Sequence, residues 1–189
     1  MSGFLLHLLR HGEPEPAGHL LGHGDWPPTA AGIAACVDRA RGLDVAALWA
    51  SDLSRAALAG DAIGAVAGLP LRTDSRWREL DFGAWDGRAV ADIDPAAMAR
   101  FWDAPDAAPP PGGERWSALV ARVSGAIAAL PPHPTLVVTH GGAMRAALAA
   151  LCGFSAAQAW AFDLPYAALL SLRVWPGDRP AAQIVGLRT

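Results

Sequence analysis

The sequence contains no lysine, so its 15 permanently basic side chains are all arginines. This absence excludes a P-loop, whose lysine reaches the nucleotide phosphates, and a pyridoxal phosphate enzyme, which needs a lysine Schiff base. It also excludes every mechanism with a lysine nucleophile. Arginine instead offers a planar fork of donors that matches the oxygens of a phosphate group.

Cysteine is also scarce, and Cys36 and Cys152 lie far apart in Ala- and Leu-rich stretches that predict helices. Buried structural thiols are the simplest interpretation. A cysteine phosphatase has an arginine six residues after its cysteine, whereas Gln158 stands at that distance from Cys152. Neither the cysteines nor the six histidines have the spacing of a metal site, so we expect no metal and no cofactor.

Charge and hydropathy argue against two classes of partner. The formal net charge of −3 is too small for a protein that binds nucleic acid through a basic surface. No run of about 20 apolar residues is present for a membrane helix. The apolar run at the N-terminus contains His7 and stops at Arg10, unlike a signal peptide. We therefore expect a soluble, cytoplasmic protein without a nucleic-acid or membrane partner, whose oligomeric state the sequence does not indicate.

Strand and helix patterns alternate along the chain, which predicts one domain (residues 1–189) with a layered α/β fold. The predicted strands are residues 4–8, 45–50, a short segment at 71–72, 135–139, 168–175 and 183–187, the last two as an antiparallel edge. The predicted helices are 30–41 with Thr29 as N-cap, a helix that follows Ser54 and ends near 68, 95–102, 115–130, and a helix that follows Gly142 and ends near 151.

Two histidines stand at matching positions after predicted strands. His11 follows Arg10 at the end of the first strand, and His140 precedes Gly141 at the end of the strand 135–139. Ligands of open α/β sheets bind at the carboxyl ends of the strands, so both histidines meet over one site if these strands are neighbours. Glycine amides at a helix start favour anions, and a neutral histidine can act as a nucleophile. A structural role is the alternative for either histidine.

Arg55 is a third candidate for binding an anion. It falls in the first turn of a predicted helix, where the helix dipole disfavours a cation unless a negative partner faces it. A phosphate group could be that partner. The alternative is an arginine at the protein surface that pairs with Asp52 or Asp61.

Glu79 is the candidate for general acid–base chemistry. Aromatic and glycine residues surround it in the segment 77–87, which suggests a packed wall around a carboxyl group. Asp81 and Asp86 lie in the same segment and are rivals for the role. The spacing of these residues does not choose among the three carboxylates.

Five motifs, in order over most of the chain, resemble those of the histidine phosphatase superfamily, which has the phosphoglycerate-mutase-like fold. They are RHGE (residues 10–13), GxxDxPPTxxG (22–32), SDLSRA (51–56), RELDFGAWDG (78–87) and VTHGG (138–142). The resemblance implies a three-layer α/β/α sandwich with a mostly parallel central sheet. It also implies hydrolysis of a small-molecule phosphomonoester through a phosphohistidine intermediate, without a metal ion.

The same resemblance implies a role for each residue of the site. His11 is the expected nucleophile and Glu79 the expected acid and base, and the family pattern also makes His140 catalytic. The expected phosphate-binding groups are Arg10, Arg55 and Gly141.

A narrower resemblance points to the alpha-ribazole phosphatase branch, which removes a phosphate during assembly of the lower ligand of cobalamin. It rests on the segments FWD (101–103), PPGGE (110–114), RV (122–123) and FDLPYA (162–167). One alternative is a phosphatase of sugar phosphates or phosphoglycerate-like acids in the same superfamily. A phosphoglycerate mutase, disfavoured by the short chain, and a non-catalytic module that binds a phosphate ligand are further alternatives.

The chain departs from the family pattern at five positions. Pro14 and Ala17 stand where threonine and asparagine are common, and Pro28 stands where leucine is usual. Leu58 and Ala59 replace the usual Gln-Thr pair. These departures leave the expected phosphate-binding residues intact, so they concern the choice of substrate.

Overall fold

The computed structural model describes residues 3–15, 18–177 and 180–189, which contain a mixed sheet of six strands. The strands are β1 (Phe4–Arg10), β2 (Ala47–Ala50), β3 (Leu71–Thr73), β4 (Thr135–Thr139), β5 (Leu169–Trp175) and β6 (Ala181–Arg188). Their order across the sheet is β3-β2-β4-β1-β5-β6. The first four in this order pair in parallel, whereas β5 pairs antiparallel with β1 and β6. The predicted mostly parallel sheet with an antiparallel edge is confirmed.

Helices cover both faces of the sheet. They are α1 (Ala30–Ala40), α2 (Ser54–Ala67), α3 (Pro95–Asp103), α4 (Trp116–Ala128), α5 (Gly141–Cys152) and α6 (Ala156–Trp160). One apolar core joins α1 and α2 to the sheet, with Ile63 and Leu136 among its buried members. The other joins α4 and α5 to the opposite face, with Met144 and Leu8 among its members. No helix in the described ranges is both long and apolar enough to cross a membrane.

Most helix boundaries lie close to the predicted ones because local signals define them. The Thr29 hydroxyl accepts a hydrogen bond from the Gly32 amide and caps α1, as predicted. Gly68 and Gly153 end α2 and α5 in the left-handed conformation that favours glycine. Helix α6 was not predicted, because five residues are too few to show an apolar period. Strand β2 begins at Ala47 rather than at residue 45, since the paired ladder starts there.

A direct contact between two glycines brings the start of α1 against the loop that follows β1. A Cβ atom added to Gly12 would lie 2.0 Å from the carbonyl oxygen of Gly32. One added to Gly32 would lie 2.6 Å from the amide nitrogen of Glu13. The Thr29 amide also donates to the Glu13 carbonyl (2.9 Å). This backbone packing leaves no room for side chains and holds the segment that carries His11.

Both cysteines are free thiols on helices. Cys36 is fully buried in α1, and burial raises the pKa of its thiol to about 12. Cys152, the last residue of α5, is half-buried, and burial raises its pKa as well. Neither group forms a reactive thiolate at neutral pH. These positions agree with the structural role predicted from the sequence.

Candidate active site

His11 and His140 lie side by side at the carboxyl edge of the sheet. Strands β1 and β4 are parallel neighbours, with Arg10 paired to Thr139, so the residues that follow both strands share this edge. The His11 amide donates to the Thr139 carbonyl (2.8 Å), and the centroids of the two imidazole rings are 5.0 Å apart. The structure therefore brings together the two histidines that the repeated strand–glycine pattern predicted.

The His11 ring is oriented by the residue that follows it. Its Nδ1 atom lies 2.7 Å from the Gly12 carbonyl oxygen. A carbonyl only accepts hydrogen bonds, so Nδ1 carries the proton of the neutral ring and Nε2 keeps its lone pair. Burial, followed by the charges of Arg55 and Arg10, holds the pKa of His11 well below its usual value. His11 is thus a neutral imidazole with a free ring nitrogen, the form that a nucleophile requires.

His140 is fully buried directly before α5. Within the described part of the chain, neither of its ring nitrogens has a hydrogen-bond partner. Burial, followed by the charge of Arg55, holds the pKa of His140 well below its usual value. The amides of Gly141 and Gly142 lie beside it at the positive end of the α5 dipole. A buried polar ring without a partner is costly, and an anion at this helix start would satisfy it.

Arg10 is held between the end of β1 and the loop before β5. Its Nη1 atom donates to the Leu164 carbonyl (2.6 Å), and its guanidinium carbon lies 4.3 Å from the ring centroid of Tyr166. The Tyr166 ring centroid lies 5.5 Å from that of His11. The Nε atom of Arg10 is buried and has no partner among the described residues. The side chain is thus immobilised while one donor next to His11 remains unused by the protein.

Arg55 is fully buried in the first turn of α2. Its terminal nitrogens donate to three carbonyls of the loop before α1, those of Leu21 (3.1 Å), Gly22 (2.6 Å) and Gly24 (2.9 Å). Its Nε atom is buried without a partner in the described ranges. The alternative of a surface pair with Asp52 or Asp61 is wrong, because solvent does not reach Arg55 and Asp52 pairs with Arg78 at 2.6 Å.

Glu79 lies against the first turn of α5. Its Oε2 atom accepts a hydrogen bond from the Gly142 amide (3.1 Å), and its Oε1 atom accepts one from the Leu80 amide (2.8 Å). A carboxylate at a helix start is stabilised by the helix dipole. The same contact places this carboxyl group next to the glycine amides that adjoin His140.

Asp81 and Asp86, the rivals of Glu79 for the acid–base role, accept hydrogen bonds from backbone amides of loops. Asp81 accepts from the Gly83 amide (2.8 Å). Asp86 accepts from two amides of the loop before α1, those of Gly22 (2.8 Å) and Gly24 (2.6 Å). Both carboxylates are therefore bound by amides outside α5, whereas Glu79 contacts the start of that helix. Of the three carboxylates, the geometry favours Glu79.

Arg145 is a site residue that was not predicted from the sequence. It lies one helical turn after Gly141, so both residues share a face of α5. Its Nη2 atom donates to the Phe162 carbonyl (3.1 Å), and its guanidinium carbon lies 5.8 Å from the ring centroid of Trp160. Its Nε atom is buried without a partner among the described residues. The spacing of four residues from Gly141 was the signal that could have revealed it.

A cavity of about 180 Å³ opens beside the histidine pair. Its polar lining includes the side chains of Arg10, Glu79 and Arg145. Much of the remaining wall is aromatic and consists of Phe82, Phe101, Trp102, Trp116 and Trp160. The cavity therefore combines a charged end, next to the candidate acid–base, with an apolar aromatic body.

The positions that depart from the family pattern lie in two places. Pro14 is buried and forms an isolated β-bridge with Pro28, which joins the two ends of the loop between β1 and α1. Leu58 and Ala59 lie on α2, where Leu58 is exposed and Ala59 is buried. Ala17 lies outside the described residues.

The groups around the two histidines suit an anion. Arg10, Arg55 and Arg145 bring positive charge, Glu79 contributes a carboxyl group, and the α5 amides add donors. In the part of the chain that the structure describes, no group of three or more His, Cys, Asp or Glu side chains could hold a metal ion. The arrangement offers a nucleophile, donors for phosphate oxygens and a carboxyl group that can transfer protons.

Comparison with known proteins agrees with this geometry. Residues 6–185 match the model of the family described as "Histidine phosphatase superfamily (branch 1)". The chain belongs to the histidine phosphatase superfamily. The match spans every residue that was predicted for the site, from Arg10 to Gly141.

Known proteins and solved structures are similar to the chain over most of its length. The probable phosphoglycerate mutase GpmB of Proteus mirabilis (strain HI4320) is 31% identical over 163 residues, which are 80% of this chain and 76% of that protein. The structure of mycobacterial glucosyl-3-phosphoglycerate phosphatase is similar with a TM-score of 0.86 and 28% identity over 96% of both chains. TTHB049 from Thermus thermophilus is 31% identical, with a TM-score of 0.75 over 97% of this chain and 98% of that one. These similarities confirm the phosphoglycerate-mutase-like fold.

Proposed function

We propose that the chain is a phosphomonoesterase that works through a phosphohistidine on His11. The observation that carries this proposal is the state of the His11 ring, which is buried, neutral and bound through Nδ1 to the Gly12 carbonyl. Its Nε2 atom is free to attack, and His140 lies beside it with both ring nitrogens unpaired within the described chain. A histidine with a purely structural role would use its second nitrogen for a partner in the protein.

In the first step, Nε2 of His11 attacks the phosphorus of the monoester. The new N–P bond forms as the bond between phosphorus and the leaving oxygen breaks. Glu79, in its protonated form, donates its proton to that oxygen, so the product leaves as a neutral alcohol. The charge on the transferred group is spread over oxygens held by four donors, namely Arg10, Arg55, His140 and the Gly141 amide.

In the second step, water hydrolyses the phosphohistidine. The Glu79 carboxylate takes a proton from the water as its oxygen attacks phosphorus. The N–P bond breaks, its electron pair returns to Nε2 of His11, and inorganic phosphate leaves. Glu79 ends the cycle protonated and His11 ends it neutral, so the site is ready for the next substrate.

The aromatic wall of the cavity supports alpha-ribazole 5′-phosphate as the substrate. Its leaving alcohol is a ribose that carries a bicyclic aromatic base. Trp102, Trp116 and Trp160 offer faces and edges on which such a base can stack. The polar end of the same cavity contains Glu79, the group proposed to protonate the ribose oxygen. The motif resemblance to the alpha-ribazole phosphatase branch points to the same substrate.

A second candidate substrate is a phosphoglycerate-type acid, and Arg145 favours it. Its Nε atom is buried without a partner in the described chain, and its side chain lines the cavity. A guanidinium in this position can bind the carboxylate of a phosphoglycerate. Two similar proteins are named as a probable phosphoglycerate mutase and a glucosyl-3-phosphoglycerate phosphatase.

The phosphohistidine is tested by rapid mixing with a phosphomonoester and quenching in alkali, in which this intermediate survives. We expect wild type and His133→Gln to form it and His11→Ala to lack both the intermediate and turnover. His133 is a matched control because it precedes β4, at the opposite end of that strand from His140. Turnover at the wild-type rate by His11→Ala would contradict the nucleophile. No intermediate and no turnover on any ester would indicate a module that only binds phosphate ligands.

The substrate is tested by comparing alpha-ribazole 5′-phosphate with sugar phosphates and 3-phosphoglycerate. We expect the highest kcat/KM for alpha-ribazole 5′-phosphate, and a selective increase of its KM in Trp102→Ala, whose side chain is exposed enough for the variant to fold. If the substrate is a phosphoglycerate, Arg145→Gln should raise the KM for the acid and Trp102→Ala should not. Detection of the isomeric phosphoglycerate, instead of free phosphate, would identify a mutase.

A further inference from the structure

Arg122 on α4 donates hydrogen bonds to several backbone carbonyls of the segment that carries Glu79. Its Nη1 atom donates to the carbonyls of Arg76 and Arg78, each at 2.9 Å. Its Nη2 atom donates to the carbonyl of Glu79 itself (3.0 Å). One side chain therefore satisfies three carbonyls within four consecutive residues, the last of them belonging to the candidate acid–base.

Glu114 binds the same segment on the other side of Glu79. Its carboxylate binds the Arg122 guanidinium through two contacts, at 3.0 Å to Nε and 2.7 Å to Nη2. Its Oε2 atom accepts from the Asp81 amide (3.3 Å), and its own amide donates to the Asp81 carbonyl (2.9 Å). The pair is mostly shielded from solvent, with side chains 18% and 14% exposed. Residues on both sides of Glu79 are thus tied to one ion pair.

The segment needs such a tie because it contains little regular structure. It runs from a 3₁₀ turn at Ser75–Trp77 to another at Gly83–Trp85, and residues 78–82 between them form neither helix nor strand. From this irregular segment, the Glu79 carboxylate reaches the Gly142 amide in the first turn of α5. Displacement of a catalytic group by about 1 Å can cost about 100-fold in rate.

We propose that Arg122 and Glu114 are positioning residues that set the Glu79 carboxyl group against the start of α5. This inference rests on the proposed phosphatase function and gives a role to the PPGGE and RV segments, which the chemistry of the site leaves unexplained. Neither residue lines the cavity, and both bind the backbone of the segment that carries Glu79. A change at either residue should therefore slow proton transfer by Glu79 and leave the attack by His11 intact.

The test uses Arg122→Lys with two substrates that differ in their need for a general acid. For an alkyl ester such as ribose 5-phosphate, we expect kcat to fall about 10- to 100-fold with little change in KM, because the alkoxide needs the Glu79 proton. The phenolate of 4-nitrophenyl phosphate leaves without a proton. For this substrate we expect a burst of 4-nitrophenolate equal to one equivalent per site. The steady state after the burst should be slow, because water still needs the base.

Arg76→Gln is the matched control. The Arg76 side chain pairs with Asp74 and donates to the Gly125 carbonyl (2.9 Å), so it ties the same segment to α4 without touching Glu79. We expect this variant to keep the wild-type kcat on both substrates. Equal losses of kcat in Arg76→Gln and Arg122→Lys would overturn the positioning role. The absence of a 4-nitrophenolate burst in Arg122→Lys would overturn it as well. A wild-type enzyme that forms no phosphohistidine would instead refute the proposed function.

Glu114→Gln keeps the proposal testable if Arg122→Lys does not fold. It retains an oxygen for Arg122 and a similar shape but removes the charge of the pair. We expect the same effects as in Arg122→Lys but smaller ones. The kcat for ribose 5-phosphate should fall, and 4-nitrophenyl phosphate should again give a burst of one equivalent per site. Wild-type kinetics on the alkyl ester would overturn the role of Glu114.

Discussion

Gly142, the second residue of α5, is the position at which an added methyl group meets the candidate acid–base. A Cβ atom built on Gly142 lies 2.0 Å from Oε1 of Glu79 and 3.1 Å from its Cδ. The obstacle is the end of a flexible side chain and not backbone, so the carboxylate can move aside without unfolding the protein. Gly142→Ala is therefore expected to damage catalysis while it spares the fold.

The size of the effect follows from the required displacement. The Glu79 oxygen must retreat by about 1.4 Å to reach ordinary van der Waals contact at 3.4 Å. This Oε1 atom accepts from the Leu80 amide, and its retreat also moves Oε2 away from the Gly142 amide. A displacement of about 1 Å costs about 100-fold in rate, equivalent to about 2.7 kcal/mol of transition-state stabilisation. Alanine in a helix is at the same time favoured over glycine by up to about 1 kcal/mol.

Steady-state kinetics on an alkyl phosphomonoester and thermal unfolding together test this prediction. We expect kcat to fall about 100-fold with Tm unchanged or raised. Gly125→Ala on α4 is the control, because its added Cβ meets nothing closer than Arg76 Nη1 at 3.8 Å. It should gain the same helix propensity and keep the wild-type kcat. A Gly142→Ala enzyme with wild-type kcat would show that the reaction does not use the Glu79 carboxylate where it now lies.

Three further predictions concern charge. Because the pKa of His140 in the folded chain lies well below its ordinary value, the unfolded chain binds more protons and stability falls as the pH drops below about 6.5. His140→Gln should flatten this fall by up to about 1.4 kcal/mol per pH unit in denaturant unfolding between pH 7 and 5, and an unchanged slope would contradict the pKa. Arg55→Met leaves three loop carbonyls without a donor and should cost about 3 kcal/mol in urea unfolding, so a variant as stable as wild type would contradict that network. EDTA should leave turnover unchanged, since guanidinium groups are proposed to carry the phosphate charge, and a loss that added divalent metal restores would refute this expectation.

Much of the fold could be predicted because its signals are local. The apolar run of β4 has strand length and stops at His140, and Thr29, Gly68 and Gly153 mark helix ends by their own conformational preferences. Helix α6 and the 3₁₀ turns between β3 and α3 are too short to show a period. Their conformation depends on capping and on contacts with distant segments, such as the bonds from Arg122.

The residues of the candidate site also differ in how far the sequence could predict them. The pairing of His11 with His140 followed from two strand–glycine patterns and needed one tertiary fact, that β1 and β4 are neighbours. The choice of Glu79 over Asp81 and Asp86 needed more. All three carboxylates occupy similar sequence surroundings, but Glu79 is the one whose carboxylate contacts the start of α5. Its carbonyl accepts from Arg122 on α4, 43 residues later in the chain.

The sequence by itself determined the family, the longer helices and strands and the two histidines of the site, because motifs, apolar periods and caps act over a few neighbouring residues. It also excluded lysine chemistry. Only the tertiary structure decided which carboxylate reaches the glycine amides, that Arg55 is buried rather than paired at the surface, and that Arg145 lines an aromatic cavity. These outcomes depend on contacts between segments that are far apart in the chain, and such contacts leave no pattern among adjacent residues.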